Sequence, residues 1–213
     1  MSEPKSRLEQ LRESHPREAL RLVWRKAIYR KVLIGEFGIR AGDSVAPPND
    51  HGLVIDLLNQ DDWHLALENN PYLNEADLAR FRNQAATCIV ARDGNRIAAS
   101  TWMLRGGFFV TEVSRELHLR PDTHFSCRSF VASDYRGRAL LSHMIHHYAM
   151  SIDPDNQITG LVFDWNIPSI RSLERIGWRH RGDYWTTFVL GRAFHHEQHF
   201  PPRPPITLSN TES

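Results

Sequence analysis

Phe125-Ser126-Cys127-Arg128-Ser129-Phe130-Val131-Ala132-Ser133-Asp134-Tyr135-Arg136-Gly137-Arg138-Ala139-Leu140-Leu141 reads as a strand over 125–132, a short turn, and a helix from about Arg138 to Met150. A turn of this kind aims several backbone N–H groups at one point. The helix dipole adds partial positive charge there, so a pyrophosphate is a natural guest. Gly137 permits close backbone approach and unusual dihedrals. Arg136 and Arg138 add charge for phosphate oxygens. Leu140, Leu141, Met144, Ile145, Tyr148 and Ala149 form the apolar stripe that docks the helix on a sheet. Taken alone, Arg-Gly-Arg at a helix start also fits an ordinary strand-to-helix connection with exposed arginines.

A second stretch narrows the choice. Asn166-Ile167-Pro168-Ser169-Ile170-Arg171-Ser172-Leu173-Glu174-Arg175-Ile176-Gly177-Trp178 follows an apolar segment, 158–164, that reads as a buried strand. Asn166 stands at that strand's end, where its amide can donate and accept towards a ligand. Pro168 opens a short helix, Ile170, Leu173 and Ile176 pack it, and Gly177 ends it.

Together the two stretches resemble the GNAT superfamily of acyl-CoA-dependent transferases. Val131 through Leu141 is similar to its pyrophosphate motif, with Arg136 at the first position and Gly137 in the frequent Arg-Gly form. Ala139 stands where Gly is usual, and Leu141 where Gly or Ala is usual. Asn166 through Trp178 is similar to the closing motif, with Leu173 in place of the usual Tyr. The resemblance covers about residues 51–191. It implies an α+β fold: a mixed, mostly antiparallel central sheet flanked by helices, in which strands 125–132 and 158–164 splay apart around the pantetheine arm of acetyl-CoA or another acyl-CoA. Phe130 and Val131 would then face the arm through their backbone. Arg136, Gly137, Arg138, Ala139, Leu140 and Leu141 would hold the pyrophosphate, and Asn166 and Ser169 would line the opposite wall. A backbone N–H near Val131 would stabilise the oxyanion as an amine attacks the thioester. A base must take the ammonium proton, and Glu112, on a strand read over 108–113, is the candidate. With Leu173 unable to protonate the leaving thiolate, Tyr184 is the candidate acid, and water is the alternative because a thiol pKa lies near 8.5.

The rest of the chain fits one substantial domain with appendages. It has 213 residues, 41% of them hydrophobic, enough for a packed core. Pro16 suits the first turn of a helix running to about Ile34, an N-terminal helical extension within residues 1–50. From 51 the pattern reads strand (53–58), short helix (to 68), helix (75–84), a hairpin (87–91 and 96–104 around Asp93-Gly94-Asn95), then the two stretches above, and final strands over 178–190 with Gly182 a bend or bulge. The Pro-rich segment 192–213 reads as an extended, flexible tail.

Lys+Arg 26 against Asp+Glu 25 leaves a net charge of +1, which gives no footprint for nucleic acid. No apolar run is long enough to span a membrane, and two cysteines suggest no disulfide framework, so a cytoplasmic home is expected. His143, His146 and His147 read as exposed helix histidines and Cys127 as a strand residue, and no metal is expected. The expected acceptor is an amine on a small molecule, sugar or peptide. A homodimer and an acyl-carrier protein are possible partners. Two other readings stay open: the same fold using a carrier-bound or longer acyl chain, and a CoA-binding module without catalysis.

Overall fold

The computed structural model describes Trp24 and residues 29–38, 52–110, 113–200 and 206–209. Its centre is an eight-stranded sheet of order β10-β9-β1-β8-β7-β4-β3-β2. The strands are β1 (Tyr29–Phe37), β2 (Leu53–Leu58), β3 (Thr87–Asp93), β4 (Arg96–Leu104), β7 (Thr123–Val131), β8 (Gln157–Phe163), β9 (Trp178–Val189) and β10 (Arg192–His199). Neighbours are antiparallel except β7 and β8, which run parallel. A three-stranded sheet, β11 (Ile206–Ser209), β6 (Arg115–Leu119) and β5 (Gly107–Val110), stands beside it. The helices are α1 (Trp63–Asn69), α2 (Glu75–Asn83), α3 (Leu140–Ala149) and α4 (Ile167–Arg175). This is the mixed, mostly antiparallel sheet flanked by helices that the two motifs imply.

Each face of the sheet has its own core. On one, Trp63 of α1 and Phe81 of α2 pack on Trp102 of β4, with ring centroids 4.7 and 4.8 Å apart. Phe108, Leu117, Phe125, Ile34 and Tyr184 continue that core. On the other, Leu140, Met144, Ile145 and Tyr148 of α3 meet Ile89, Met103 and Ile158, while Leu173 of α4 meets the same cluster as Trp178. The stripe read on the 140–149 segment is therefore the docking face of α3. Each large apolar side chain buried in this way contributes roughly 1.5–3 kcal/mol.

Two element readings are corrected. Residues 29–34 are strand, not the end of a helix; the part of that expectation before Tyr29, apart from Trp24, lies outside the described residues. Val32-Leu33-Ile34 sits between β8 and β9, paired on both edges and packed on both faces. Such a strand reads as a continuous apolar run with no alternation to give it away. Gly35 makes the register work: a Cβ there would come within 2.3 Å of the Trp178 ring, and opposite it the ladder skips Arg181 between His180 and Gly182. The bulge thus falls beside the Gly182 singled out in the sequence.

The second correction is the tail. Arg192–His199 is a strand, joined to β9 through Leu190 and Gly191, both at positive φ (50° and 78°). That is the backbone of a two-residue hairpin turn. Ile206–Ser209 also forms a strand, paired with β6. Residues 201–205 and 210–213 lie outside the described residues. The sheet thus draws β1 from before 51 and β10 from after 191.

Candidate functional site

The β7–β8 ladder is short. It pairs Thr123 with Gln157, His124 with Ile158, Phe125 with Thr159 and Ser126 with Gly160, and stops there. β7 continues to Val131 and β8 to Phe163 without further pairing, so the strands part and leave a gap in mid-sheet. Backbone groups that face such a gap receive no ladder hydrogen bond from the opposite strand and can pair with an extended ligand.

A bulge in β7 accompanies the split. Ser100 pairs with Phe130 and Trp102 with Cys127, so Thr101 alone opposes Arg128 and Ser129. Arg128 takes φ 49°, a left-handed conformation costing a non-glycine residue about 1–2 kcal/mol. Two buried residues hold it there. Asn70, at the end of α1, donates from Nδ2 to the Arg128 carbonyl at 2.9 Å. Asp77 of α2 accepts from the Arg128 guanidinium at 3.3 Å. Behind the bulge the Thr101 hydroxyl lies 2.8 Å from that of Ser129 and 3.1 Å from that of Ser126.

Beyond the bulge, Ala132 N–H donates to Ala98 O on β4 at 2.9 Å. Strand alternation then turns the Val131 N–H and C=O the other way, towards the gap. The Val131 carbonyl also accepts from Arg136 Nε at 3.4 Å. Phe130, one residue back, points its peptide at β4.

The turn between β7 and α3 is anchored by Tyr135. Its hydroxyl donates to Asp93 at 2.6 Å, and the guanidinium carbons of Arg96 and Arg138 lie 5.3 and 5.1 Å from its ring centroid. Gly137 (φ 82°) and Ala139 (φ 55°) are both left-handed, and a Cβ on Gly137 would meet nothing within 4 Å. Ala139 is the N-cap of α3 and supplies no side-chain cap. The first amides of α3, from Leu140 onward, therefore keep orphan N–H groups at a dipole's positive end. Arg136, Gly137, Arg138 and Ala139 are exposed around them.

The α4 start is built differently. Asn166 is its N-cap, and Oδ1 accepts from Ser169 N at 3.3 Å. The side-chain oxygen of Asn166 is thus engaged by the helix, and its Nδ2 group can donate to a ligand. At the closed end of the gap, His124 is wholly buried. Its Nε2 accepts from Arg105 (3.1 Å) and Asn156 (3.0 Å), which places the proton on Nδ1, 2.7 Å from the Tyr148 hydroxyl of α3. Burial, helped by Arg105, holds its pKa down at about 4.

The sequence candidates are not all drawn together. Of the two residues expected to face an arm through their backbone, Val131 is turned to the gap and Phe130 is not, because its peptide is engaged with β4; the 136–141 turn follows β7, and Asn166 and Ser169 stand at the start of α4 after β8. Glu112 lies outside the described residues. Tyr184 sits on β9, separated from β8 by β1, fully enclosed in the core, and its hydroxyl has no partner among the described residues. Burial, with Glu197 adding to it and Arg115 opposing, raises its pKa well above the usual phenol value. Asn70, Asp77 and the left-handed Arg128 were not legible as site residues; they come from α1, α2 and β7, and only the fold joins them. Among the described residues no group of three or more His, Cys, Asp or Glu is arranged to hold a metal ion.

No protein-family model matches the chain, and no curated protein matches it in sequence. Solved structures do resemble it. A conserved protein of unknown function from Staphylococcus epidermidis superposes with a TM-score of 0.50 at 9% identity, over 88% of this chain and 69% of that one. That likeness is one of fold. A putative GNAT-family acetyltransferase from Novosphingobium aromaticivorans gives a TM-score of 0.49 at 18% identity, over 76% of this chain and 64% of that one. A GCN5-related N-acetyltransferase-like protein from Streptococcus suis gives 0.49 at 12% identity, over 85% and 74%. The chain thus spans less than two thirds of the length of the Novosphingobium protein.

Proposed function

We propose that the chain is an N-acyltransferase of the GNAT type, moving an acyl group, acetyl in the simplest case, from CoA to an amine. The observation that carries this is the pairing of parallel β7 and β8, which ends at Ser126 and Gly160, while β7 runs on through the 132–139 turn into a helix with no side-chain cap. An extended arm can pair with the open edge of β7 while its pyrophosphate meets the orphan amides of α3.

In this reading the amine nitrogen attacks the thioester carbon. The carbonyl oxygen gathers negative charge and the Val131 N–H stabilises it. The tetrahedral intermediate collapses, the C–S bond breaks, and CoA leaves as thiolate. The nitrogen gives up a proton to the base, with Glu112 the candidate, and the thiolate takes one up. Water supplies that second proton, since a thiol pKa near 8.5 asks for no dedicated acid and Tyr184 is enclosed. Positioning amine and thioester together supplies much of the rate.

The test is to incubate the protein with acetyl-CoA, longer acyl-CoAs and acylated carrier protein over an amine panel, following binding and thiol release. The proposal expects saturable thiol release from an acyl-CoA that depends on the amine. Release only from carrier-bound acyl groups would change the donor, and binding without release would make the chain a CoA-sensing module. No binding of any donor would overturn the reading.

A further inference from the structure

The two walls of the gap end in aromatic pairs on the same face of the sheet. On the β7 side, Tyr72 of the α1–α2 connection lies edge-on to Phe130, with centroids 6.4 Å apart. Phe130 stands opposite Ser100, whose hydroxyl Asn70 approaches from the end of α1. On the β8 side, Phe163 stacks on Trp165 at 5.0 Å, and Phe163 packs on the core that holds Trp63 and Phe81 of α1 and α2. Both pairs therefore face the α1/α2 side, whereas α3, with the anion-binding turn, packs on the other. A donor arriving from the α3 side would present its thioester through the gap towards these rings.

The rings are open to a ligand: Tyr72 is 64% exposed and Trp165 44%. The polar groups beside them are turned inward. Asn70 accepts from Tyr72 N–H and donates to the Arg128 carbonyl, and Asp77 pairs with Arg128. Tyr72 and Trp165 thus offer exposed flat apolar faces, which suit a ring better than a polyhydroxylated sugar.

We propose that the acceptor is an amine carried on an aromatic ring, bound between Tyr72 and Trp165; this rests on the acyl-transfer reading above. The test pairs a binding and a turnover assay, using 2-phenylethylamine, n-hexylamine and glucosamine with acetyl-CoA. The expected result is a kcat/KM for 2-phenylethylamine about tenfold or more above those of the other amines. Tyr72→Ala and Trp165→Ala should each lower that advantage while leaving the affinity for CoA, measured by calorimetry, as in the parent. Both positions are exposed, so the variants should fold. Preference for glucosamine or n-hexylamine, or an aromatic preference untouched by both substitutions, would overturn the inference while acyl transfer stood. Absence of CoA binding in the parent protein would remove the acyl-transfer reading itself, and the inference with it.

Discussion

At the scale of single residues, three side chains carry measurable consequences. Ala139 holds φ 55° where the related motif has glycine. Replacing it with glycine removes a steric cost at a left-handed position and adds some unfolded-state entropy. Ala139→Gly should therefore raise stability by about 0.5–1 kcal/mol, read as a higher denaturation midpoint. An unchanged or lower midpoint would show that the backbone there relaxes without strain. His124 gives a pH dependence. Its folded pKa is held at about 4, below the ordinary 6.5, so it stays neutral in the fold while the unfolded chain binds a proton. Stability is full above pH 6.5 and falls as pH drops towards 4, with a slope from this group of at most about 1.4 kcal/mol per unit. Thermal melts from pH 7 to 4 should show this loss, and His124→Gln should flatten it. Tyr184 belongs at this scale too. Its enclosed hydroxyl finds no hydrogen-bond partner among the described residues, so Tyr184→Phe should keep turnover and leave stability equal or higher by up to about 1 kcal/mol. A drop in kcat beyond tenfold would return the phenol to the mechanism.

At the scale of elements, the bulge in β7 is the part the sequence could not display. The strand, turn and helix around Arg136 and the helix behind Asn166 were legible because their apolar spacing and Gly and Pro punctuation are local. The clamp on Arg128 was not, because Asn70 and Asp77 lie far away in sequence and look like ordinary helix-end polar residues. β1 is masked for a related reason: Val32-Leu33-Ile34 is apolar on both faces, and the helical spacing before it continues into it. β10 is hard to see in the sequence because Leu190 takes a left-handed turn position that seldom holds a leucine, and the prolines after His199 give the segment the composition of a tail. Asn70→Ala leaves the Arg128 carbonyl without its buried donor, at a cost of about 1–3 kcal/mol. If the clamp also holds the strands apart, this variant should bind CoA several-fold more weakly under conditions where it remains folded. Parent-like affinity in a folded Asn70→Ala protein would confine the clamp to stability.

At the scale of the whole molecule, one architectural feature stands out: a sheet of eight strands opened in its middle rather than at its edge. Each face of the sheet has its own core, and both cores draw on β7 and on β8, so the strands beside the opening are packed on both faces. The most direct measurement is hydrogen exchange with and without acetyl-CoA. Acetyl-CoA bound in the gap should bring new protection at the Val131 amide and at the first amides of α3, Leu140 to Ser142, with the β2–β3 edge unchanged. Binding without protection at those amides, or protection only elsewhere, would contradict this placement.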